Sequence, residues 1–249
     1  MGNCCSSTRV KGHPNEKKYR KTIIAYEEEL AFANPLARGV STAGTGQMSV
    51  LSSLPDSSKK AHIHSVYDGD TLTIVQDDGS LQKVRLIGID TPELAPREPF
   101  AVESTNFVKK HCPPGSEVWL FTSTDPKNQY DKYKRLLAYI FVAKYTQGSG
   151  YLCINVALVL DGLAFFYAPH GSDLLERRDL LLSAQRLAIQ KRRNIWSIAP
   201  LQQTVYVTRN GIAFHRDVCF HIKRFIKQTT LEEAARIGLS PCRTCQPLG

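Results

Sequence analysis

The sequence predicts an α+β fold: a five-stranded OB-type β-barrel with three helices, followed by a small module at the C-terminus. Three observations lead there. Five short segments rich in Val, Ile, Leu and aromatic residues fall between residues 62 and 142, each bounded by turn signals. Three segments of helical character lie among and after them. One histidine and three cysteines punctuate the last 35 residues at metal-ligand spacing.

In chain order, strands are expected at His62–Tyr67 and Thr71–Val75, around the turn Asp68-Gly69-Asp70. Asp77-Asp78-Gly79 then opens a third strand, Leu81–Ile89, completing a meander. Glu98–His111 reads as a helix with Phe100, Phe107 and Val108 on about one face, ended by Pro113-Pro114-Gly115. Glu117–Thr122 and Leu136–Val142 are the fourth and fifth strands. Ile154–Leu163 is a second helix, and Ser172 caps a third that runs to about Lys191. Short strands with helices packed outside define a small Greek-key barrel.

At 249 residues there is room for one or two domains, and an apolar share of 42% supports an ordinary core. The formal charge is +9, but its distribution argues against a uniformly basic nucleic-acid surface. Residues 1–60 carry nine basic and five acidic side chains, residues 61–200 sixteen and fifteen, and residues 201–249 seven and three. Phosphate binding in the middle segment must therefore come from individually placed arginines and a cation. Seven cysteines without a secretory signal point to a reducing compartment, with Cys112 and Cys153 as small buried thiols.

Residues 1–21 form a lipidated basic anchor in this reading. Met1-Gly2-Asn3-Cys4-Cys5-Ser6 fits myristoylation of Gly2. One acyl chain holds a protein only marginally, so palmitoylation of Cys4 and Cys5 and the basic stretch Arg9 to Lys21 supply the second signal. The expected location is the cytoplasmic face of a membrane, the plasma membrane in particular. Residues 22–60 are a linker, and 61–200 the barrel domain.

The chemistry of the barrel lies in Arg85-Leu86-Ile87-Gly88-Ile89-Asp90-Thr91-Pro92-Glu93, where an apolar strand ends abruptly in charge. Asp68, Asp70, Asp90 and Glu93 are four carboxylates at strand ends within 26 residues, with no histidine or cysteine among them. Oxygen ligands of this kind suit Ca²⁺ or Mg²⁺. Arg85 and Arg135 offer forked contacts to phosphate oxygens. A cation site, phosphate-binding guanidiniums and a spare acid to activate water are the parts of a phosphodiester hydrolase. Arg85 and Asp90 are an odd number apart, so they face one site only if the strand breaks near Gly88.

Four ordered motifs make the likeness specific: Val66–Thr71, Arg85–Glu93, Asp131-Lys132-Tyr133-Lys134-Arg135-Leu136-Leu137-Ala138-Tyr139, and Asn194-Ile195-Trp196-Ser197. Over roughly residues 61–198 the chain resembles the staphylococcal nuclease family. The resemblance implies a Ca²⁺-dependent endonuclease acting on DNA and RNA and leaving 3′-phosphates. By position it implies that Asp70, Asp90 and the Thr91 carbonyl bind Ca²⁺, with Asp68 supporting through water. It gives Glu93 the role of orienting or deprotonating the attacking water, Arg85 and Arg135 that of binding phosphate, and Tyr133 a nucleotide contact with Lys132 beside it. Two positions depart from the pattern. Lys134 replaces a glycine, and Phe165 stands where the family carries a tyrosine against the nucleotide.

Residues 204–249 read as a small zinc-binding module. Strands at Thr204–Thr208 and Ile212–His215 flank Asn210-Gly211, and Thr230 caps a helix at Leu231–Ile237. So short a segment needs a staple, and His215-x3-Cys219 with Cys242-x2-Cys245 supplies four ligands for structural Zn²⁺. The stretch resembles the metal-binding part of the Ada repair protein, with a histidine in the first cysteine's place.

The alternative to an enzyme is a non-catalytic binding module for nucleic acid or protein on the same barrel. Its mark is loss of Glu93 or either arginine, and all three are present. No protein partner is predicted.

Overall fold

The computed structural model describes residues 49–123, 125–144, 150–168, 178–209, 211–222 and 227–248. Gly2, Cys4, Cys5, the basic anchor stretch, Ser172 and Asn210 lie outside the described residues.

Strands β1 (Val50–Leu51), β2 (Lys59–Val66), β3 (Thr71–Val75), β4 (Leu81–Leu86) and β5 (Ile89–Asp90) come first, followed by helix α1 (Ala101–His111). Then come β6 (Glu117–Phe121), β7 (Leu136–Lys144), β8 (Gly150–Cys153), helix α2 (Ile154–Leu160) and β9 (Phe165–Phe166). Helices α3 (Arg178–Gln190) and α4 (Ile195–Ile198) lead to the tail: β10 (Thr204–Val207), β11 (Ala213–His215), β12 (Lys227–Thr230), α5 (Leu231–Arg236) and β13 (Ser240–Pro241).

The five expected strands close into the barrel. Strand β3 pairs with β2 and β4, and β2 pairs with β6. Strand β4 pairs in parallel with β7, and β7 closes on β6 through Trp119↔Phe141. Strand β8 extends the sheet from β7, with β1 beyond it. Part of the segment expected as linker over 22–60 is instead strand. Val50 and Leu51 pair with β8, and Lys59 and Lys60 already belong to β2, because their backbone donors find partners in neighbouring strands.

A buried asparagine fastens the barrel to its second helix. Asn155 is fully enclosed in the apolar run of α2. Its side-chain oxygen accepts from the Ile140 N–H at 3.0 Å, and its amide donates to the carbonyls of Ile87 at 2.8 Å and Ala138 at 3.2 Å. The Ile87 carbonyl lies just past the end of β4, so this network fixes the bend that leads into the charged stretch.

The tail shares a core with the barrel's outer helices. Trp196, Phe165, Ile189 and Leu201 form one apolar cluster with Val205, Phe214, Leu231 and Ala235. Buried Gln185 of α3 accepts from the Phe166 N–H at 2.7 Å and donates to the Ala235 carbonyl at 2.6 Å, tying α3, β9 and α5 together. Strand β10 pairs with β11 as expected, and Thr230 caps α5 by accepting from the Glu233 N–H at 3.1 Å. Strands β12 and β13 complete this sheet.

Candidate active site

The charged stretch works as a site because its strand breaks where parity requires. Strand β4 ends at Leu86, Gly88 has a φ of +79°, and the chain resumes as β5. Arg85 and Asp90 then meet, with Nη2 3.1 Å from Oδ1. Gly69 has a separate reason to be glycine. A Cβ there would lie 2.8 Å from Ser104 Cβ and 2.9 Å from Thr91, so only a bare backbone lets the Asp68–Asp70 turn seat against α1.

Asp70 and Asp90 are buried, and one guanidinium spans them. Arg85 Nη1 lies 2.8 Å from Asp70 Oδ2, and its Nη2 reaches Asp90. Asp70 also accepts from the Thr91 N–H and hydroxyl, both at 3.0 Å, and from the Thr71 hydroxyl at 3.0 Å. Asp68 Oδ1 accepts from the N–H groups of Asp70 at 3.0 Å and Thr71 at 2.7 Å. Burial, reinforced by the Asp70 charge, pushes the Asp68 carboxyl up to about 6. Two buried carboxylates and a neighbouring peptide carbonyl offer an all-oxygen donor set. This chemistry fits Ca²⁺.

Arg135 is held on the other side of the cavity. Asp131 Oδ2 accepts from its Nε at 2.7 Å, and its Nη1 donates to the Thr71 hydroxyl at 3.3 Å. Asp131 Oδ1 accepts from the backbone of Tyr133 at 2.8 Å and Arg135 at 2.9 Å, which folds the loop around one carboxylate. The loop needs a left-handed residue, and Lys134 provides it at φ +61°. Tyr133 is 67% exposed, with Lys132 Nζ 5.0 Å from its ring centroid and the Arg135 guanidinium 5.5 Å from it.

Glu93 reaches the cavity from beyond Pro92. Its side chain is 51% exposed, which leaves it open to water, and its backbone N–H donates to Glu98 Oε2 at 2.8 Å. Partial burial pushes its carboxyl above the usual range; Arg243 pulls it down, while the charges of Asp70, Asp90 and Glu98 push it up.

Asp70, Arg85, Asp90, Glu93, Lys132, Tyr133 and Arg135 thus line one cavity of about 1070 Å³. Thr91 lies buried beneath it. Phe165 does not join them. It is buried edge-on against Trp196, 5.5 Å between ring centroids, because it belongs to the apolar cluster behind β9. Tyr167, two residues on, lines the cavity instead, as does Tyr67. The alternation of β9 places Phe165 and Tyr167 on one side in a regular strand, but the strand ends at Phe166.

Arg243 is the charged tail residue at the site that sequence reasoning missed, as it missed Tyr67 and Tyr167. Arg243 Nε donates to Asp90 Oδ2 at 2.8 Å. Its only sequence signal is a basic residue inside Cys242-x2-Cys245, which says nothing of the surface it meets.

The second cluster gathers His215, Cys219, Cys242 and Cys245, whose ligand atoms lie within 4.8 Å of one another. The sulfurs of Cys219 and Cys242 are 3.9 Å apart, and all three cysteines are free thiols. Cys245 Sγ accepts from the Arg216 N–H at 3.3 Å. His215 Nδ1 is buried with no hydrogen-bond partner, as a nitrogen awaiting a metal should be. Burial, with His221 nearby, holds this imidazole below its ordinary value and so neutral. Burial would raise the Cys242 thiol, but backbone N–H groups of Cys245 and Thr244 bring it below its ordinary value. A neutral imidazole and three thiol sulfurs fit tetrahedral Zn²⁺.

A closed OB-type barrel with buried acids and arginines in one cavity defines the class: an α+β OB-fold protein with an oxygen-ligand site. The particular lineage follows from the comparisons. A family model described as "Staphylococcal nuclease homologue" matches residues 83–198. The thermonuclease of Staphylococcus intermedius is 39% identical over 140 residues, covering 54% of this chain and 74% of that protein. The thermonuclease of Staphylococcus hyicus is 35% identical over 138 residues, covering 53% and 72%. The chain belongs to the staphylococcal nuclease family.

Proposed function

We propose that the chain is a Ca²⁺-dependent endonuclease that hydrolyses phosphodiester bonds of DNA and RNA, leaving 3′-phosphates. The observation that carries this reading is the convergence of Asp70, Asp90, Glu93, Arg85 and Arg135 on one cavity large enough for a nucleotide. The two thermonuclease relatives support the same chemistry. Asp70, Asp90 and the Thr91 carbonyl would hold Ca²⁺, which would supply positive charge beside the scissile phosphate. Arg135, preset by Asp131 and Thr71, binds the phosphate and spreads the charge that builds on it. Arg85 braces the two carboxylates and lines the same cavity, where it would add positive charge beside the phosphate. Glu93 takes a proton from the water that attacks phosphorus in line, the P–O5′ bond breaks, and the leaving 5′ oxygen takes a proton from solvent. Tyr133 and Lys132 engage the nucleotide at the rim. The decisive measurement is degradation of DNA and RNA with millimolar Ca²⁺ and with EGTA. Cleavage in the first alone is expected; no cleavage in either refutes the reading.

From Met1-Gly2-Asn3-Cys4-Cys5-Ser6 we infer that the chain is acylated and acts at the cytoplasmic face of the plasma membrane. The proposed attachment is carried by Gly2, Cys4 and Cys5; no described helix is long and apolar enough to span a membrane. Gly2→Ala is expected to move the protein from the membrane fraction to the soluble one. Unchanged fractionation sinks the anchor. In the tail, His215, Cys219, Cys242 and Cys245 hold a structural Zn²⁺, since four protein ligands leave no open position.

A further inference from the structure

The cavity contains a third arginine, and it engages the atoms assigned to the cation. Arg243 makes a fork onto Asp90, with Nε to Oδ2 at 2.8 Å and Nη2 to Oδ1. The same Nη2 donates to the Thr91 carbonyl at 3.0 Å. Its Nη1 lies 3.2 Å from Glu93 Oε1 and 3.6 Å from Glu98 Oε2. Asp90 Oδ1 also receives Arg85, so both of its oxygens accept from guanidiniums. One tail residue therefore covers two of the three proposed Ca²⁺ ligands and pairs with the proposed base.

The backbone that carries Arg243 is not free to drift. Its neighbour Cys242 and, two residues on, Cys245 belong to the proposed zinc cluster, and Gln246 Nε2 donates to Glu98 Oε1 at 3.3 Å. The side chain, in contrast, is 41% exposed and has, besides Asp90, two carboxylate partners in Glu93 and Glu98. Bringing a divalent cation within a few ångströms of a guanidinium costs enough repulsion to shift binding about tenfold even at water-like screening. Resting on the Ca²⁺ reading of Asp70, Asp90 and Thr91, we propose that Arg243 is a built-in competitor for the cation, so that the C-terminal tail sets the Ca²⁺ affinity of the nuclease site. Ca²⁺ binding displaces the guanidinium from Asp90 and the Thr91 carbonyl toward Glu98, which also releases Glu93.

The test is calorimetric titration of the full chain with Ca²⁺, without nucleic acid, for wild type, Arg243→Gln and Arg243→Lys. Arg243→Gln is expected to bind Ca²⁺ about tenfold more tightly or better. Arg243→Lys, which keeps the charge and loses the fork, falls between the two. Equal or weaker binding by Arg243→Gln overturns the proposal and makes Arg243 a positioning group that steadies the ligands. A second measurement needs only folded wild type. The Arg243 Nε–H signal of ¹⁵N-labelled protein, assigned by its absence from Arg243→Lys, is expected to shift on Ca²⁺ saturation, and an unmoved signal overturns the proposal. Failure of the parent reading looks different: neither wild type nor Arg243→Gln then binds Ca²⁺ or cuts DNA. Wild type that cuts in Ca²⁺ beside an unaltered Arg243→Gln affinity defeats the competitor alone.

Discussion

Replacing Glu93 with glutamine is expected to slow phosphodiester cleavage by about 10²–10⁴-fold, the usual worth of a positioned general base. Calcium binding should survive, because the proposed ligands are Asp70, Asp90 and the Thr91 carbonyl. Glutamine has the same shape and can still accept from Arg243 through its amide oxygen, so the change isolates proton transfer from packing. A pH profile adds a second readout. Glu93 must be deprotonated to act, so wild-type activity falls as pH drops through its pKa. Burial raises that value above the ordinary glutamate range, so the fall begins at a higher pH than a free glutamate would give. The glutamine variant should lack this limb. A variant within a few-fold of wild type, with the limb intact, would show that another group activates the water.

Removing the proposed zinc is the second perturbation expected to have a large effect. Structural zinc contributes about 10–16 kcal/mol to the folding of isolated zinc-finger peptides. Here the tail is also held by Phe214, Leu231 and Ala235 against Trp196, so part of its stability does not depend on metal. A loss of about 3 kcal/mol corresponds to a fall of roughly 6–12 °C in Tm for a chain of this size. Differential scanning calorimetry after chelation should show at least that fall, reversed by added Zn²⁺. Purified protein with no zinc by atomic absorption, and a Tm indifferent to chelator, would rule out the metal and leave four thiol and imidazole groups with no task.

Much of the barrel was legible because its signals are local. Strand segments rich in β-branched residues end at turn residues, and the five expected strands match β2, β3, β4, β6 and β7 to within a few residues. Even the break at Gly88 could be anticipated, since Arg85 and Asp90 cannot share a face of one regular strand. What escaped depends on distant contacts. Asn155 looks like a blemish in an apolar helix, and its value comes from Ile87, Ala138 and Ile140, which are remote in sequence. Phe165 was misplaced because motif position says which family residue it replaces, whereas Trp196 decides where its ring goes. Arg243 was invisible because Cys242 and Cys245 identify a metal turn without saying which surface the residues between them meet. That surface is set by the docking of the tail on α3 and α4, a property of the assembled core.

The continuity of that core makes the catalytic barrel poorly portable. A chain cut after Ala199 would keep every proposed catalytic side chain and still lose half the wall around Trp196, exposing a patch that the outer helices cannot cover themselves. The tail is equally dependent, since Val205, Phe214 and Leu231 find their apolar partners on the barrel's side. Excision, grafting or fusion would therefore have to treat residues 49–248 as one unit of exchange, and mutations that improve either half will be felt by the other.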